Sequence, residues 1–193
     1  MTATDQLLLV ELQLVGTLGH DSGRASVSFL GADPIEVLRF GPEPDGVMRY
    51  ATLGMSRTPM TDPGAGVVAD TGPRAELVLS VRGAQDDVFR TLAVIAASPT
   101  VEGLVLGPGA GIDLGQPLWD GSRFTAVLVG EPGGLVPDLV VEGQDPVQFL
   151  PLLPMTHNEA AWKRVHGATA LEERWLTQGV DLRDPDRPAA DLA

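Results

Sequence analysis

The chain has 193 residues, 44% of them apolar, no cysteine, and a net charge of −13 from 26 acidic against 13 basic residues. That length and apolar content support one folded domain with a core built mainly from aliphatic side chains. The missing cysteines exclude disulfides and thiolate metal sites, and the basic residues are too scattered to neutralise the phosphates of a nucleic acid.

The acidic balance suits solubility, and it equally suits electrostatic steering of a basic partner protein. The N-terminus lacks the positively charged start of a secretory signal. No apolar run reaches the roughly 20 residues needed to span a bilayer, so no membrane role is expected and the cytoplasm is the expected location.

Asp5 to Leu18 is apolar enough for either a helix or a strand, and Gly16 and Gly19 end it. Three strands are expected next: Ala25 to Leu30, Ile35 to Phe40 and Val47 to Leu53. The second places Ile35 and Val37 on one side and Leu38 and Phe40 on the other. Gly41 to Gly46 reads as a hairpin connection. Asp62 to Gly66 has the composition of a loop. Glu76 to Arg82 alternates, with Leu77, Leu79 and Val81 on one face and Glu76, Ser80 and Arg82 on the other.

Asp86 to Ala97 has the helical period, through Val88, Leu92 and Ile95, and Pro99 is expected to stop it. Strands are expected at Phe124 to Val129, Leu139 to Val141 and Phe149 to Leu153. Thr156 and Glu159 form a T-x-x-E capping box, with Gly167 in a left-handed position ending that helix. Thr169 and Glu172 repeat the pattern for a second helix closed by Gly179. Trp162, Val165, Leu171 and Trp175 are then available to face inward. A domain over 1–182 followed by a flexible tail over 183–193 is the expected organisation.

No chemical signature emerges. Gly107-Pro108-Gly109-Ala110-Gly111 is followed by Gly115 and Pro117 instead of a helix, so it does not make a phosphate loop. His157, Glu159 and His166 miss the i, i+4 spacing of metal ligands on one helix face. Neither Ser56 nor Ser122 stands in G-x-S-x-G, and Asp86 and Asp87 read as helix-start charges. No catalytic, cofactor-binding or metal-binding residue is assigned, and no cofactor is expected.

Thr52-Leu53-Gly54-Met55-Ser56 admits two readings. One is structural, with Gly54 in an unusual backbone conformation, Met55 in the core and Ser56 bonding the next turn. The other is a recognition ridge in which Tyr50, Met55, Ser56 and Arg57 contact a partner, since Tyr, Arg and Met are favoured at interfaces.

This segment, the carboxylate of Glu76 before its strand, the Asp86 to Ala97 helix, the strand from Gly121 to Pro132, Pro154 to Glu159, the late Gly167 and the Asp181-Leu182-Arg183-Asp184-Pro185-Asp186-Arg187-Pro188 run together resemble the Suppressor of fused domain family. The resemblance extends from about Ile35 to Arg187. It implies a single α+β domain with a central, mostly antiparallel sheet flanked by helices, and regulation by binding another protein without catalysis. The animal founder restrains Hedgehog signalling by sequestering a transcription factor, with a second domain for which this chain has no room. Short single-domain members are bacterial, and the resemblance implies an immunity-type or regulatory protein that neutralises a partner such as a toxin. A housekeeping or assembly adaptor of the same fold is an alternative, as is an enzyme with an unrecognised site. The Gly- and Pro-rich stretch from Asp62 to Pro73 departs from the family pattern.

Overall fold

A computed structural model describes residues 3–61 and 71–193. The expected loop from Asp62 to Gly66 lies outside the described residues. The chain runs α1 (Ala3–Leu18), β1 (Asp21–Phe29), β2 (Ala32–Phe40), β3 (Val47–Leu53), a 3-10 turn (Met55–Arg57), β4 (Arg74–Arg82), α2 (Asp87–Glu102), β5 (Gly111–Asp113), β6 (Phe124–Val129), β7 (Val147–Thr156), α3 (His157–His166) and α4 (Ala168–Thr177). The strands form one seven-stranded sheet in the order β1-β2-β3-β4-β7-β6-β5. Among the described residues only the β4–β7 pairing is parallel, so the expected mostly antiparallel sheet is found.

Alternation in the central strands sorts their side chains onto two buried faces. Ile35 and Val37 of β2 join Tyr50, Leu77, Leu79, Val127 and Leu152 beneath α2, which contributes Val88, Leu92 and Ile95. Leu38 and Phe40 face the other way and meet Val10 and Leu14 of α1. On that same second face, Ala126 and Leu128 of β6 pack under Leu171 and Trp175 of α4. The sheet is thus sandwiched between α2 on one side and α1 with the α3–α4 pair on the other. Both sides of β3 and β4 lie inside the protein.

The ambiguous first segment is a helix. α2 passes through Pro99 and continues to Glu102, where the sequence suggested a stop. Proline cannot donate to the carbonyl four residues back, and here the Ser98 hydroxyl donates to the Ile95 carbonyl instead, at 2.7 Å. Gly103, at φ 70°, then closes the helix in the left-handed conformation. Leu139 makes only an isolated bridge to Val147, and the expected Phe149 to Leu153 strand is the middle of a longer β7. The short edge strand β5 was not expected, because three residues carry too little periodicity to read.

The Thr156–Glu159 capping box is present in both directions. Gly167 ends α3 at positive φ (91°), although its ψ of 164° is extended and not left-handed helical. The second expected box is absent: α4 starts directly after Gly167 with no side-chain cap, which leaves Thr169 inside the first turn. Val165 is 79% exposed, so it does not pack inward. Residues 183–193, expected as a flexible tail, fold back over α3 and α4, with Arg187 and Ala190 buried. Among the described residues no helix is long and apolar enough to cross a membrane.

Candidate functional site

The residues singled out by the sequence converge on two buried carboxylates. Glu76, on β4, is fully buried. β3 ends at Leu53, and Gly54 then adopts φ 137° and ψ −23°, a conformation open to glycine and strained for other residues. A Cβ at this point would also approach the Pro34 carbonyl oxygen to 3.2 Å. The turn made possible by Gly54 folds Met55 into the core and directs the next amides at the sheet.

Four neutral donors converge on the Glu76 carboxylate. The Gly54 amide (2.9 Å), the Ser56 amide (3.1 Å) and the Ser56 hydroxyl (2.7 Å) donate to Oε1, and the Thr52 hydroxyl donates to Oε2 at 2.6 Å. Thr52 Oγ1 accepts in turn from the Leu77 amide at 2.8 Å. The Ser56 carbonyl receives Gln6 of α1 at 2.7 Å and Arg74 at 2.8 Å. Glu76 therefore ties β3, the 3-10 turn and β4 together, and the Ser56 carbonyl links α1 to the same unit.

Glu159, also fully buried, is held differently. Its Oε2 accepts from the Thr156 amide at 2.8 Å, completing the capping box. The Arg187 guanidinium reaches both oxygens, at 2.8 and 2.9 Å. The Trp175 indole N–H and the Ala190 amide donate to Oε1 at 3.1 and 2.9 Å. Arg187 also lies over the Phe124 and Trp175 rings, at 4.7 and 5.6 Å from their centroids. Burial pushes the Glu159 carboxyl upward, but the Arg187 guanidinium and the Ala190 and Thr156 amides outweigh it and leave the group below its ordinary value.

These placements correct the recognition-ridge reading. Tyr50 and Ser56 are completely buried and Met55 is 5% exposed. The Tyr50 hydroxyl accepts from the Gln85 amide at 2.8 Å, and its ring meets Phe89 edge-on at 5.5 Å. Arg57 is partly exposed, and its guanidinium holds the Pro34 carbonyl at 2.7 Å. Because β3 is a central strand covered on both sides, Tyr50 belongs to the interior, and the Gly54 turn folds Met55 in after it. Of the two readings of the segment, the structural one places Gly54 and Met55 correctly, but the Ser56 hydroxyl bonds Glu76 of β4 and not the next turn.

The surface offers a different feature. A cleft of about 400 Å³ opens between α2 and the connection from β5 to β6, walled by Val94, Leu114, Pro117 and Leu118, with Asp87, Arg90 and Asp120 also lining it. The Leu114 and Leu118 amides bond the Thr125 and Phe124 carbonyls at 2.9 Å, and the Thr91 hydroxyl bonds the Leu118 carbonyl at 2.7 Å. Asp87, expected as a helix-start charge, accepts the Asp120 amide at 2.8 Å. The walls are thus fixed by main-chain bonds. Sequence reasoning missed this cleft, because its walls come from segments distant in the chain and no local pattern joins them. Among the described residues, no group of three or more His, Cys, Asp or Glu is placed to hold a metal ion.

A family model described as Suppressor of fused protein (SUFU) matches residues 31–188. A search of curated proteins finds no match. Among solved structures, one from Neisseria gonorrhoeae FA 1090 described as a SUFU homologue is similar at a TM-score of 0.71 and 20% identity, covering 96% of this chain and 97% of that one. The Sufu–Fu complex is similar at 0.67 and 13% identity, over 97% of this chain and 91% of that one. Drosophila Suppressor of Fused is similar at 0.67 and 14% identity over 96% of this chain, which spans 50% of the Drosophila chain. At these identities the likeness is one of fold.

Proposed function

The chain belongs to the Suppressor of fused protein family, and from that premise we propose that it is a non-catalytic domain that binds and sequesters another protein. The observation that carries this reading is that the same fold occurs in a protein complex, the Sufu–Fu complex. The state of the two buried carboxylates supports it. Catalytic acids and bases must reach a substrate, whereas Glu76 and Glu159 are fully buried and occupied by internal donors.

The partner proposed is a toxin or a regulatory protein with a basic surface, neutralised in a bacterial cytoplasm. The net charge of −13 supports that choice, since opposite fields raise encounter rates. Isolation of tagged protein from its native host, followed by reconstitution of the purified pair, tests the reading. A stoichiometric complex whose formation abolishes the partner's activity is expected. A housekeeping adaptor would instead copurify with an assembly whose activity it leaves intact, and turnover of a substrate by the isolated chain would overturn the proposal.

A further inference from the structure

We propose that the cleft between α2 and the β5–β6 connection is the docking site for the partner, and that it takes a segment presenting an aliphatic side chain next to a lysine or arginine. This inference rests on the partner-binding reading and adds its location and chemistry. The cleft's volume of about 400 Å³ falls within the usual range for ligand sites of about 300–1,000 Å³. Val94, Leu114 and Pro117 form an apolar wall, with Val94 and Pro117 exposed and Leu114 half-buried. The main-chain bonds that fasten the connection to β6, together with the Thr91 bond, fix the wall before binding, so little order has to be imposed on it.

The charges lining the cleft decide what fits. Asp87 and Asp120 form no ion pair among the described residues. One oxygen of Asp87 is used by the Asp120 amide, and the Asp120 carboxylate keeps its full capacity to accept. Arg90 stands three residues after Asp87, a spacing that permits an ion pair on a helix, yet Asp87 is turned to the amide instead. Among the described residues, Arg90 and Arg123 are the arginines with neither an ion pair nor a hydrogen bond; the others hold carboxylates or carbonyls. The cleft thus offers two carboxylates for a cationic head, an apolar wall for its neighbour's side chain, and a free guanidinium for the main-chain carbonyls of an extended segment. Two acids against one base leave it negative, in keeping with the net charge of the whole chain.

The probe is a short capped peptide of alternating lysine and leucine, compared with glutamate–leucine and lysine–serine peptides of equal length. Amide resonances are followed in the full chain, in the wild type and in Val94→Lys and Asp120→Lys. Position 94 is 40% exposed and position 120 is exposed. We expect the lysine–leucine peptide alone to shift amides of residues 87–94 and 114–120. Each substitution should weaken its binding by about tenfold, with a further loss as salt rises. Shifts located elsewhere, binding by both substituted proteins as tight as that of the wild type, or equal binding of the glutamate peptide would overturn the proposal, and the wild-type shift map decides even if a variant fails to fold. The two levels separate cleanly. If the native partner binds the wild type and both variants equally, the sequestering function stands and the cleft is wrong. If no partner is recovered while the peptide maps to the cleft, the cleft stands and the sequestering function falls.

Discussion

Glu76 and Glu159 are both fully buried, yet the protein neutralises the cost of burying them by different means. The donors around Glu76 are two hydroxyl groups and two backbone amides, contributed by one strand end and the turn that follows it. The cage of Glu159 is built around a guanidinium brought from 28 residues away, reinforced by an indole and two amides. One arrangement is an extension of local turn geometry and joins adjacent strands. The other exists only if the C-terminal segment returns, and it welds that segment to α3, α4 and β7. A carboxylate held by several moderate bonds loses them one at a time, while one held by a buried ion pair depends heavily on a single residue.

The largest effect should come from Arg187→Ala, which strips the buried charge of its counterion. Breaking such a pair from one side costs about 3–5 kcal/mol, read from chemical denaturation. The Arg187→Ala, Glu159→Leu double variant should recover part of that loss, because it removes the stranded charge as well. A loss below about 1 kcal/mol in the single variant would mean that the segment over 183–193 is loosely attached, as the sequence alone suggested.

Glu76→Gln should cost less, about 1–3 kcal/mol, because it keeps the shape but turns one acceptor into a donor facing donors. Gly54→Ala tests the same cage through the backbone, where φ is 137° and Ala is strained. A loss greater than about 1 kcal/mol is expected. If Glu76→Gln proves as damaging as Arg187→Ala, the contrast between distributed and concentrated support is wrong.

Acid titration sharpens the comparison from the side of charge. Glu159 is held below its ordinary value of 4.5. A lowered carboxyl contributes stability that is fully present above the unfolded value and is lost as pH falls through the lower folded value. The wild type should therefore lose stability on acidification below about pH 4.5. In Arg187→Ala that slope should flatten, because the main attraction lowering the group is gone. An unchanged acid limb in the variant would assign the limb to other carboxylates.

The smallest effects separate the two helix starts. Thr156→Ala should cost about 1 kcal/mol, the usual loss of a cap. Thr169→Ala should change stability by less than about 0.5 kcal/mol, since alanine is a good helix former and Thr169 caps nothing. Equal losses in the two variants would contradict the observed start of α4.

What could be read from the chain alone is what short-range periodicity records. The division of β2 into Ile35 and Val37 against Leu38 and Phe40 was legible because alternate side chains must leave a strand on opposite sides. The apolar stripe of α2 was legible for the same kind of reason, and the capping box was readable because both partners lie within one helical turn. The ordered motifs from Thr52 to Arg187 also pointed to the family.

The roles of those motifs follow from packing between distant segments. Glu76 alternates with leucines and so looks like a residue on a solvated face; α1 and the Gly54 turn cover that face and make it a buried acceptor. Tyr50 and Met55 are as suitable for an interface as for a core, and the layer packed over β3 places them in the core. Arg187 sits in a run of Asp and Pro that resembles a solvated tail, and its role follows from meeting Glu159 in space. Val94 and Asp120 share a cleft for the same reason. Side-chain period records which way a residue points; what it meets there depends on contacts between distant parts of the chain, and a local pattern does not encode them.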